Sequence, residues 1–176
     1  MCFVQYNGTE RAYLRVVSGM ARAKKVVLRG YHVGDLDKIV RLDERCFDEE
    51  FRFDRRSMKA YVEARNSVSL IAEKDDEMVG FVIVHIDRVA MCRRGYVVTL
   101  DVAAECRRSG LAGRMMQAVE MLAEADGAQR MELHVFTEND AAIRFYEWLG
   151  YERVARLRRF YGAEGRDAFE YRKALG

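Results

Sequence analysis

The sequence predicts one domain of the α/β (α+β) class, built as a mixed sheet with helices on both of its faces. Three observations predict this class. Strand and helix patterns follow one another in the order β-α-α-β-β-β-α-β-α-β-β, which makes seven strands and four helices. Residues 96–102 form a nearly continuous apolar run, typical of a strand that is buried on both faces. Residues 110–125 carry one apolar stripe at helical spacing.

The first half of the domain begins after a predicted N-terminal extension, residues 1–25, and the domain itself is predicted to span residues 26–176. Its predicted elements are a strand over 26–29, helices over 35–46 and 55–65, and strands over 68–73 and 78–87. Asp35 is a suitable N-cap for the first helix, in which Leu36 and Ile39 share one face. The charged residues 74–77 separate two apolar runs and predict a turn between the strands.

The second half is predicted to contain a strand over 96–102, a helix over 110–125, a strand over 130–136, a helix over 139–149, and strands over 153–157 and 168–173. Asn139 is a suitable N-cap for the last helix, and Gly150 is a suitable residue to end it. Trp148, near the end of that helix, is expected to pack in the core. Residues 158–167 are predicted to be a loop between the last two strands.

Size and composition exclude several classes of protein. With 176 residues, the chain can bury a core without disulfides or metal. Hydrophobic residues make up 50% and charged residues 33%, which excludes a disordered chain. The net charge is only +2 and the arginines occur in short pairs, so we predict no nucleic-acid partner. No apolar run reaches the ~20 residues of a membrane span, and no signal peptide is visible, which indicates a cytoplasmic protein without a membrane partner.

Cysteine and histidine spacing gives no indication of a metal centre. The four cysteines contain no C-x-x-C pair, and the three histidines lie far apart along the chain. No H-E-x-x-H or comparable ligand spacing occurs. We therefore predict reduced thiols and no metal.

The junction between residues 96–102 and the helix 110–125 has the composition of an anion-binding turn. The first N–H groups of a helix are unpaired, and the helix dipole adds about half a positive charge there. Gly110 and Gly113 allow close approach of a ligand to the backbone, and Arg107 and Arg108 add positive charge. A pyrophosphate fits such a site, although an ordinary strand-to-helix turn would use the same residues. Neither the P-loop nor the G-x-G-x-x-G spacing is present.

Two blocks of sequence resemble the GNAT superfamily of N-acetyltransferases. Residues 107–112, R-R-S-G-L-A, resemble its acyl-CoA signature [QR]-x-x-G-x-[GA], and residues 133–151 resemble its L-x-V-x-x-x-N-x-x-A-i-x-x-Y-x-x-x-G-F element. The resemblance covers about residues 26–174. It implies a twisted, mostly antiparallel sheet, acetyl-CoA as the cosubstrate and an amine as the acetyl acceptor. The cofactor-binding residues that it implies are Leu100, Asp101, Val102, Arg107, Arg108, Ser109, Gly110, Leu111, Ala112, Gly113, Arg114, Asn139 and Tyr146.

Within this superfamily the chain is most similar to the protein N-terminal acetyltransferases, including the bacterial ribosomal-protein alanine type. The Asn139 to Tyr146 block, the Phe160-Tyr161 pair and residues 165–168 carry this similarity. Residues 165–168 are G-R-D-A, whereas that branch usually has G-E-D-A. The similarity implies that a protein or peptide N-terminus is the acceptor, and we expect a monomer or homodimer.

The resemblance also implies three catalytic residues. Bacterial members commonly have glutamate as general base where this chain has His134, and Tyr96 with His134 looks like the tyrosine and histidine that share the base role through water in eukaryotic-type members. Tyr146 resembles the tyrosine that hydrogen-bonds the CoA sulfur or protonates the thiolate. Each of the three side chains is also compatible with simple packing. The residues expected to contact the acceptor substrate are Phe47, Tyr96, Phe160 and Tyr161.

Two other functions remain open at this point. The acceptor could be a small amine such as a polyamine or an antibiotic, which the acidic residues 48–50 would attract unless they are only a solvated turn. The domain could also be a catalytically weak module that binds acyl-CoA and reports CoA status to a partner. An α-amine, with a pKa near 7.7–8.0, is a better nucleophile at neutral pH than a lysine side chain near 10.4.

Overall fold

The protein is described by a computed structural model over residues 26–161 and 165–176. The predicted extension, residues 1–25, lies outside the described residues. The strands are β1 (Val26–Gly30), β2 (Ser67–Lys74), β3 (Glu77–Val89), β4 (Cys92–Val102), β5 (Ala128–Phe136), β6 (Glu152–Tyr161) and β7 (Arg166–Ala174). The helices are α1 (Leu36–Cys46), α2 (Arg55–Val62), α3 (Leu111–Ala125) and α4 (Asp140–Trp148). The predicted order of elements is confirmed.

The seven strands described form one sheet in the order β1-β2-β3-β4-β5-β7-β6. All neighbouring pairs are antiparallel except β4 and β5, which are parallel. A parallel pair needs a crossover, and α3 provides it between these two strands. The predicted mixed, mostly antiparallel sheet is therefore confirmed.

The alternation of side chains along β3 shows how the helices are distributed. A Cβ atom at Gly80 would meet Met115 of α3, so this residue faces α3. On the other side, Nε2 of His85 donates to the carbonyl oxygen of Tyr61 in α2 at 2.8 Å. Positions 80 and 85 are an odd number of residues apart, so they face opposite sides of the strand. Helices therefore cover both faces of the sheet, as predicted.

Side-chain caps begin two of the helices, whereas Asp35, the predicted cap of α1, makes no cap hydrogen bond and pairs with Arg29 instead. The carboxylate of Asp54 accepts the N–H of Ser57 at the start of α2, and the amide oxygen of Asn139 accepts the N–H of Ala142 at the start of α4. The predicted stripe of α3 is fully in the core: Leu111, Met115, Ala118 and Leu122. Among the described residues, no helix is long and apolar enough to cross a membrane.

Several predicted boundaries are wrong. The strands β3 and β4 meet at a tight turn, because Ala90 adopts a positive φ of 54° there, and both strands are longer than predicted. Their arginine-rich ends hide the strand pattern, since these side chains face solvent or pair with acids. The predicted loop 158–167 is also mostly strand, so Phe160 and Tyr161 belong to β6. The second helix ends at Val62, three residues before its predicted end.

The expected core position of Trp148 is wrong as well. Its side chain is 75% exposed at the last residue of α4. Phe145 of the same helix and Leu149, its C-cap, pack against the core instead. The helix pattern places all three residues near one apolar side, and only the structure distinguishes which of them is covered.

Candidate active site

The strands β4 and β5 separate in the middle of the sheet and open a cleft. Their parallel pairing ends at Tyr96 and Glu132, although both strands continue. Residues 97–100 of β4 and 133–136 of β5 are therefore not paired with each other, and they line a cavity of about 220 Å³. Asn139, Ala142 and Tyr146 of α4 and Phe47, Phe51, Phe53 and Tyr161 complete the lining.

A β-bulge lies on the β4 wall of this cleft. Ile83 pairs with Thr99, but the next residue, Val84, pairs with Val97. Val98 is thus left without a cross-strand partner on β3, and it lies in the cavity wall. A bulge of this kind releases backbone groups from the ladder and turns them towards a site.

The side chains of Tyr96 and His134 come together where the two strands begin to separate. The Tyr96 hydroxyl lies 2.8 Å from Nδ1 of His134. Burial raises the pKa of Tyr96 to about 12, so the phenol stays protonated at neutral pH. Burial also lowers the pKa of His134, and the carboxylate of its cross-strand neighbour Glu170 opposes this only in part. The pair is therefore a neutral imidazole next to a protonated phenol.

Neighbouring side chains hold this pair in place. The ring of Phe160 lies over His134, with centroids 4.2 Å apart. The guanidinium of Arg94 lies 5.4 Å from the centroid of the Tyr96 ring and forms an ion pair with Glu132. Glu132 is 3% exposed in its side chain, and although burial acts to raise its pKa, hydrogen bonds from Arg130 and Arg94 hold that pKa below its usual range. An ionised carboxylate thus fixes Arg94 beneath Tyr96.

Tyr146 enters the cleft from α4. Its side chain is buried, and its ring packs edge-on against Phe145 and Tyr151. Burial raises the pKa of Tyr146 above its usual range. Within the described part of the chain the hydroxyl has no hydrogen-bond partner, and the residue lines the cavity. A protonated phenol with a free donor is thus available to a ligand in the cleft.

The turn before α3 has the geometry that an anion needs. Gly110, the N-cap residue, has φ 81°, and a Cβ atom there would meet nothing within 4 Å. The left-handed conformation suits glycine, and the open space lets a ligand approach the first N–H groups of α3. The Ser109 hydroxyl donates to the carbonyl oxygen of Cys106 at 2.6 Å, and Nε of Arg107 donates to Val102 at 3.0 Å. These bonds fix the turn.

The other residues expected at the cofactor site differ in their positions. Leu100 and Asn139 line the cavity. Asp101 is buried and accepts a bond of 2.5 Å from the Thr99 hydroxyl, and Leu111 is buried in the core, so their side chains do not face the cleft. Arg114 donates to the carbonyl oxygen of Val26 at 3.3 Å.

Gly113 and Arg108 are two further members of this set. Gly113 faces the ring of Trp148, because a Cβ atom at Gly113 would lie 3.4 Å from that ring. Arg108 is exposed beside the turn and has φ 55°. Gly113 therefore lies against a side chain of this protein.

An aromatic wall closes the other end of the cleft. Phe47 and Tyr161, two of the expected substrate-contacting residues, belong to it, whereas Phe160 stands partly exposed over His134. Phe51 was not among the predicted site residues, but its ring lies 5.1 Å from Phe136 and 5.5 Å from Tyr161. The wall was visible in the sequence as three phenylalanines within the otherwise charged segment 47–53.

An ion pair joins this wall to the end of the sheet. Nε of Arg166 at the start of β7 lies 2.8 Å from a carboxylate oxygen of Glu50, beside Phe51. The guanidinium also lies 5.3 Å from the ring centroid of Phe136. Spacing in the sequence could not reveal this contact, because more than a hundred residues separate its two partners.

Comparison with known proteins identifies the family of this chain. Residues 36–151 match the model of the acetyltransferase (GNAT) family. The chain belongs to the GNAT acetyltransferase family. It is 38% identical over 104 residues to N-alpha-acetyltransferase 30 of Schizosaccharomyces pombe, a match that covers 58% of this chain and 69% of the relative. It is 28% identical over 159 residues to an N-alpha-acetyltransferase of Sulfurisphaera tokodaii, covering 84% and 92%.

Solved structures share the fold of this acetyltransferase. Arabidopsis thaliana NAA60 in complex with acetyl-CoA superposes with a TM-score of 0.75 at 21% identity, covering 85% of this chain and 98% of that one. The ribosomal-protein-S18-alanine N-acetyltransferase of Escherichia coli superposes with a TM-score of 0.74 at 19% identity, covering 86% and 94%. At these identities the likeness concerns the fold alone.

Acetyl-CoA is the cosubstrate of this acetyltransferase, and the residues present fit it. The mostly apolar lining of the cleft between β4 and β5 suits a flexible thiol-ended chain, and the open turn at Gly110 suits a pyrophosphate. In residues 26–161 and 165–176, no group of three or more histidine, cysteine or carboxylate side chains is placed to hold a metal ion.

Proposed function

We propose that this acetyltransferase acts on the N-terminal α-amine of a protein or peptide, and that Tyr96 and His134 together remove the proton of that amine. The observation that carries the proposal is the 2.8 Å contact between the Tyr96 hydroxyl and Nδ1 of His134. It lies where β4 and β5 begin to separate, next to the cavity in which the acetyl group must meet the amine.

The two side chains divide the base role according to their acidities. With a pKa of about 12, Tyr96 cannot give up its proton first, but its oxygen can accept a proton while its own proton passes to His134. The imidazole is neutral at pH 7, because burial lowers its pKa. The proton of the amine thus reaches Nδ1 of His134 through the Tyr96 hydroxyl, directly or through one water.

The backbone at the bulge in β4 acts on the thioester of acetyl-CoA. When an amine attacks a thioester, negative charge develops on the carbonyl oxygen, and backbone N–H groups stabilise such charge well. Val98, which has no partner on β3, lies in the wall of the cavity between Val97 and Thr99. We assign the N–H group that stabilises the charged carbonyl oxygen to the backbone of this bulge.

Tyr146 assists the departing sulfur. Its phenol is protonated, buried and without a partner among the described residues, and it lines the cavity. A donor beside a developing thiolate lowers the barrier to its departure. The first turn of α3, after Gly110, binds the pyrophosphate, and Arg108 adds positive charge beside it.

The acceptor class follows from the wall around the acceptor end of the cleft. Phe47, Phe51 and Tyr161 provide an apolar, aromatic surface that suits the first side chain of a peptide. A polyamine would need free carboxylates there, but Glu50, which precedes Phe51 in this wall, is paired with Arg166. The names of the relatives, N-alpha-acetyltransferases, support the same acceptor.

A screen of acceptors tests the proposal. The purified protein is incubated with acetyl-CoA and one of three kinds of acceptor. The first is a set of short peptides that differ in their first residue, the second is a set of N-terminally blocked peptides that contain a lysine, and the third is spermidine. We expect acetylation of free N-termini only. Faster transfer to spermidine or to the lysine side chain would contradict the acceptor assignment and leave acetyl-CoA as the donor. Gel filtration of the same sample tests the expected monomer or homodimer.

A further inference from the structure

The only tryptophan of this chain stands on its surface, and the mechanism gives it no role. Trp148 is 75% exposed at the C-terminal end of α4. Leaving so large an apolar ring in water forgoes the stabilisation that its burial would bring. An exposed tryptophan is therefore a candidate for contact with a ligand.

The position of Trp148 relative to α3 indicates which ligand. One edge of its ring lies against Gly113, where a Cβ atom would be 3.4 Å away. Gly113 lies in the first turn of α3, three residues after Gly110, which begins the anion-binding turn. The ring therefore stands within about one helical turn, ~5 Å, of the N–H groups that would bind the pyrophosphate.

Arg144 adds a charge to the same side of α4. It precedes Trp148 by four residues, so the two side chains lie on one face of the helix. Arg144 is exposed, and within the described part of the chain it forms no ion pair or hydrogen bond. This face of α4 thus presents a flat aromatic ring and a free guanidinium next to the start of α3.

We propose that Trp148 stacks on the adenine ring of acetyl-CoA, while Arg144 pairs with the phosphates of its nucleotide. This inference rests on the pyrophosphate site at the start of α3. A flat purine stacks well on an aromatic face, and a guanidinium pairs well with phosphate. The nucleotide end of the cosubstrate would then be held by α4, whose opposite side presents Ala142 and Tyr146 to the cleft.

Fluorescence tests this directly, because Trp148 is the one tryptophan of the 176 residues. We expect its emission to change on titration with acetyl-CoA and with adenosine 3′,5′-bisphosphate, which carries the purine but no thioester. Acetyl-pantetheine, which lacks the nucleotide, should bind without changing the emission. An emission that responds equally to acetyl-pantetheine, or to none of the three, would overturn the proposal.

Two matched variants give a second readout by calorimetry. Trp148→Ala should raise the Kd of acetyl-CoA about tenfold, the effect expected when a base loses its aromatic partner. Trp148→Phe should stay within about threefold of the natural protein, because a smaller ring still stacks. The Kd of acetyl-pantetheine should be the same in all three proteins.

The outcomes separate this inference from the activity on which it rests. Equal Kd values for acetyl-CoA in Trp148→Ala and the natural protein would overturn the adenine contact, even if transfer to peptides is efficient. Failure of the natural protein to bind acetyl-CoA would contradict the donor site itself. Full turnover with acetyl-pantetheine in Trp148→Ala, together with weakened binding of acetyl-CoA, would support the contact and the proposed chemistry together.

Discussion

At the scale of single residues, the neutral state of His134, the proposed base, leads to a prediction for how the rate depends on pH. Because burial lowers the pKa of this imidazole, it can accept a proton at pH 7. The ionisation that limits kcat/KM is then that of the substrate α-amine, near 7.7–8.0. We expect kcat/KM to rise through this range and to flatten above it.

Variants of the pair then change the height of this plateau. His134→Ala should lower it about 10²-fold, the lower end of general-base effects. Tyr96→Phe should cost less, because a water can take the place of the hydroxyl. Initial rates from pH 6 to 9.5 measure both, with circular dichroism as the control for folding. A profile that still rises steeply at the alkaline end would point to a lysine acceptor.

A second residue-scale prediction concerns the free phenol of Tyr146. Tyr146→Phe removes one hydroxyl and almost no volume, and that hydroxyl has no partner among the described residues, so folding should be unchanged. If the hydroxyl protonates the departing thiolate, kcat should fall about 10²-fold while the Kd of acetyl-CoA stays the same. Single-turnover kinetics separate chemistry from product release. An unchanged rate of the chemical step would reduce Tyr146 to a packing residue.

Most individual site residues could be proposed from the sequence, because they stand at fixed places in two recognisable blocks. Tyr96 and His134 are 38 residues apart, and the structure brings them into hydrogen-bond distance. The side-chain directions were less accessible. Asp101 follows Leu100 and faces away from the cleft, as the alternation along a strand requires, but the bulge at Val98 shifts this alternation relative to Tyr96, and the sequence did not reveal the bulge.

At the scale of elements, the start of α3 carries the prediction about binding. Gly110→Asp places a carboxylate where the pyrophosphate is expected, whereas Gly110→Asn places a neutral group of the same shape there. Both variants carry the strain of a side chain at φ 81°, which Asn and Asp tolerate better than most residues. Because of the charge alone, the Kd of acetyl-CoA should be about tenfold higher in Gly110→Asp than in Gly110→Asn.

Calorimetry on the two variants, with thermal melting as the control for stability, makes this comparison. Equal affinities in Gly110→Asp and Gly110→Asn would place the pyrophosphate elsewhere. The pair is more informative than a single substitution, because the conformational cost is common to both.

The elements themselves were largely predictable, since their apolar periodicities agree with the final packing, although the predicted cap Asp35 accepts from Arg29 instead of the first turn of α1. The ends of β3, β4 and β6 were not, because arginines in these strands alternate with apolar residues and give the composition of a loop. Arg94 shows the physical reason: its strand position is stabilised by the buried carboxylate of Glu132, a partner on another strand.

At the scale of the whole molecule, two buried acids make stability depend on pH. Burial raises the pKa of Asp43 to about 6, with Glu44 adding to this and Arg52 opposing it. Burial raises the pKa of Asp101 well above its usual range, with the charge of Asp43 adding to it. One oxygen of each has no partner among the described residues. The folded state binds these protons more tightly than the unfolded chain, so each acid contributes stability that is lost as pH rises through its folded pKa, which is about 6 for Asp43.

In the natural protein a carboxylate oxygen of Asp43 accepts the N–H of Phe53 at 3.1 Å. Asp43→Asn removes the charge, and its amide oxygen can still accept this N–H. We expect its Tm to exceed that of the natural protein by about 3 °C at pH 8, for a gain of ~1 kcal/mol, and to match it at pH 5. Scanning calorimetry at the two values measures this. Glu44→Gln, an exposed neighbour, is the control and should show a much smaller difference. A variant less stable than the natural protein at both values would contradict the prediction.

The separation of β4 and β5 has a consequence for how the molecule fluctuates. Only four residue pairs join β1–β4 to β5–β7 within the sheet, and beyond them the facing backbones of residues 97–100 and 133–136 do not bond each other. Within the sheet the two halves are therefore weakly joined along this seam, and α3, which packs on β2 to β5, contacts both of them. A pantetheine arm that lies in the seam would contact both halves of the sheet. We therefore expect the amide protons of residues 97–100 and 133–136 to exchange with deuterium at similar rates, and far more slowly once acetyl-CoA is bound.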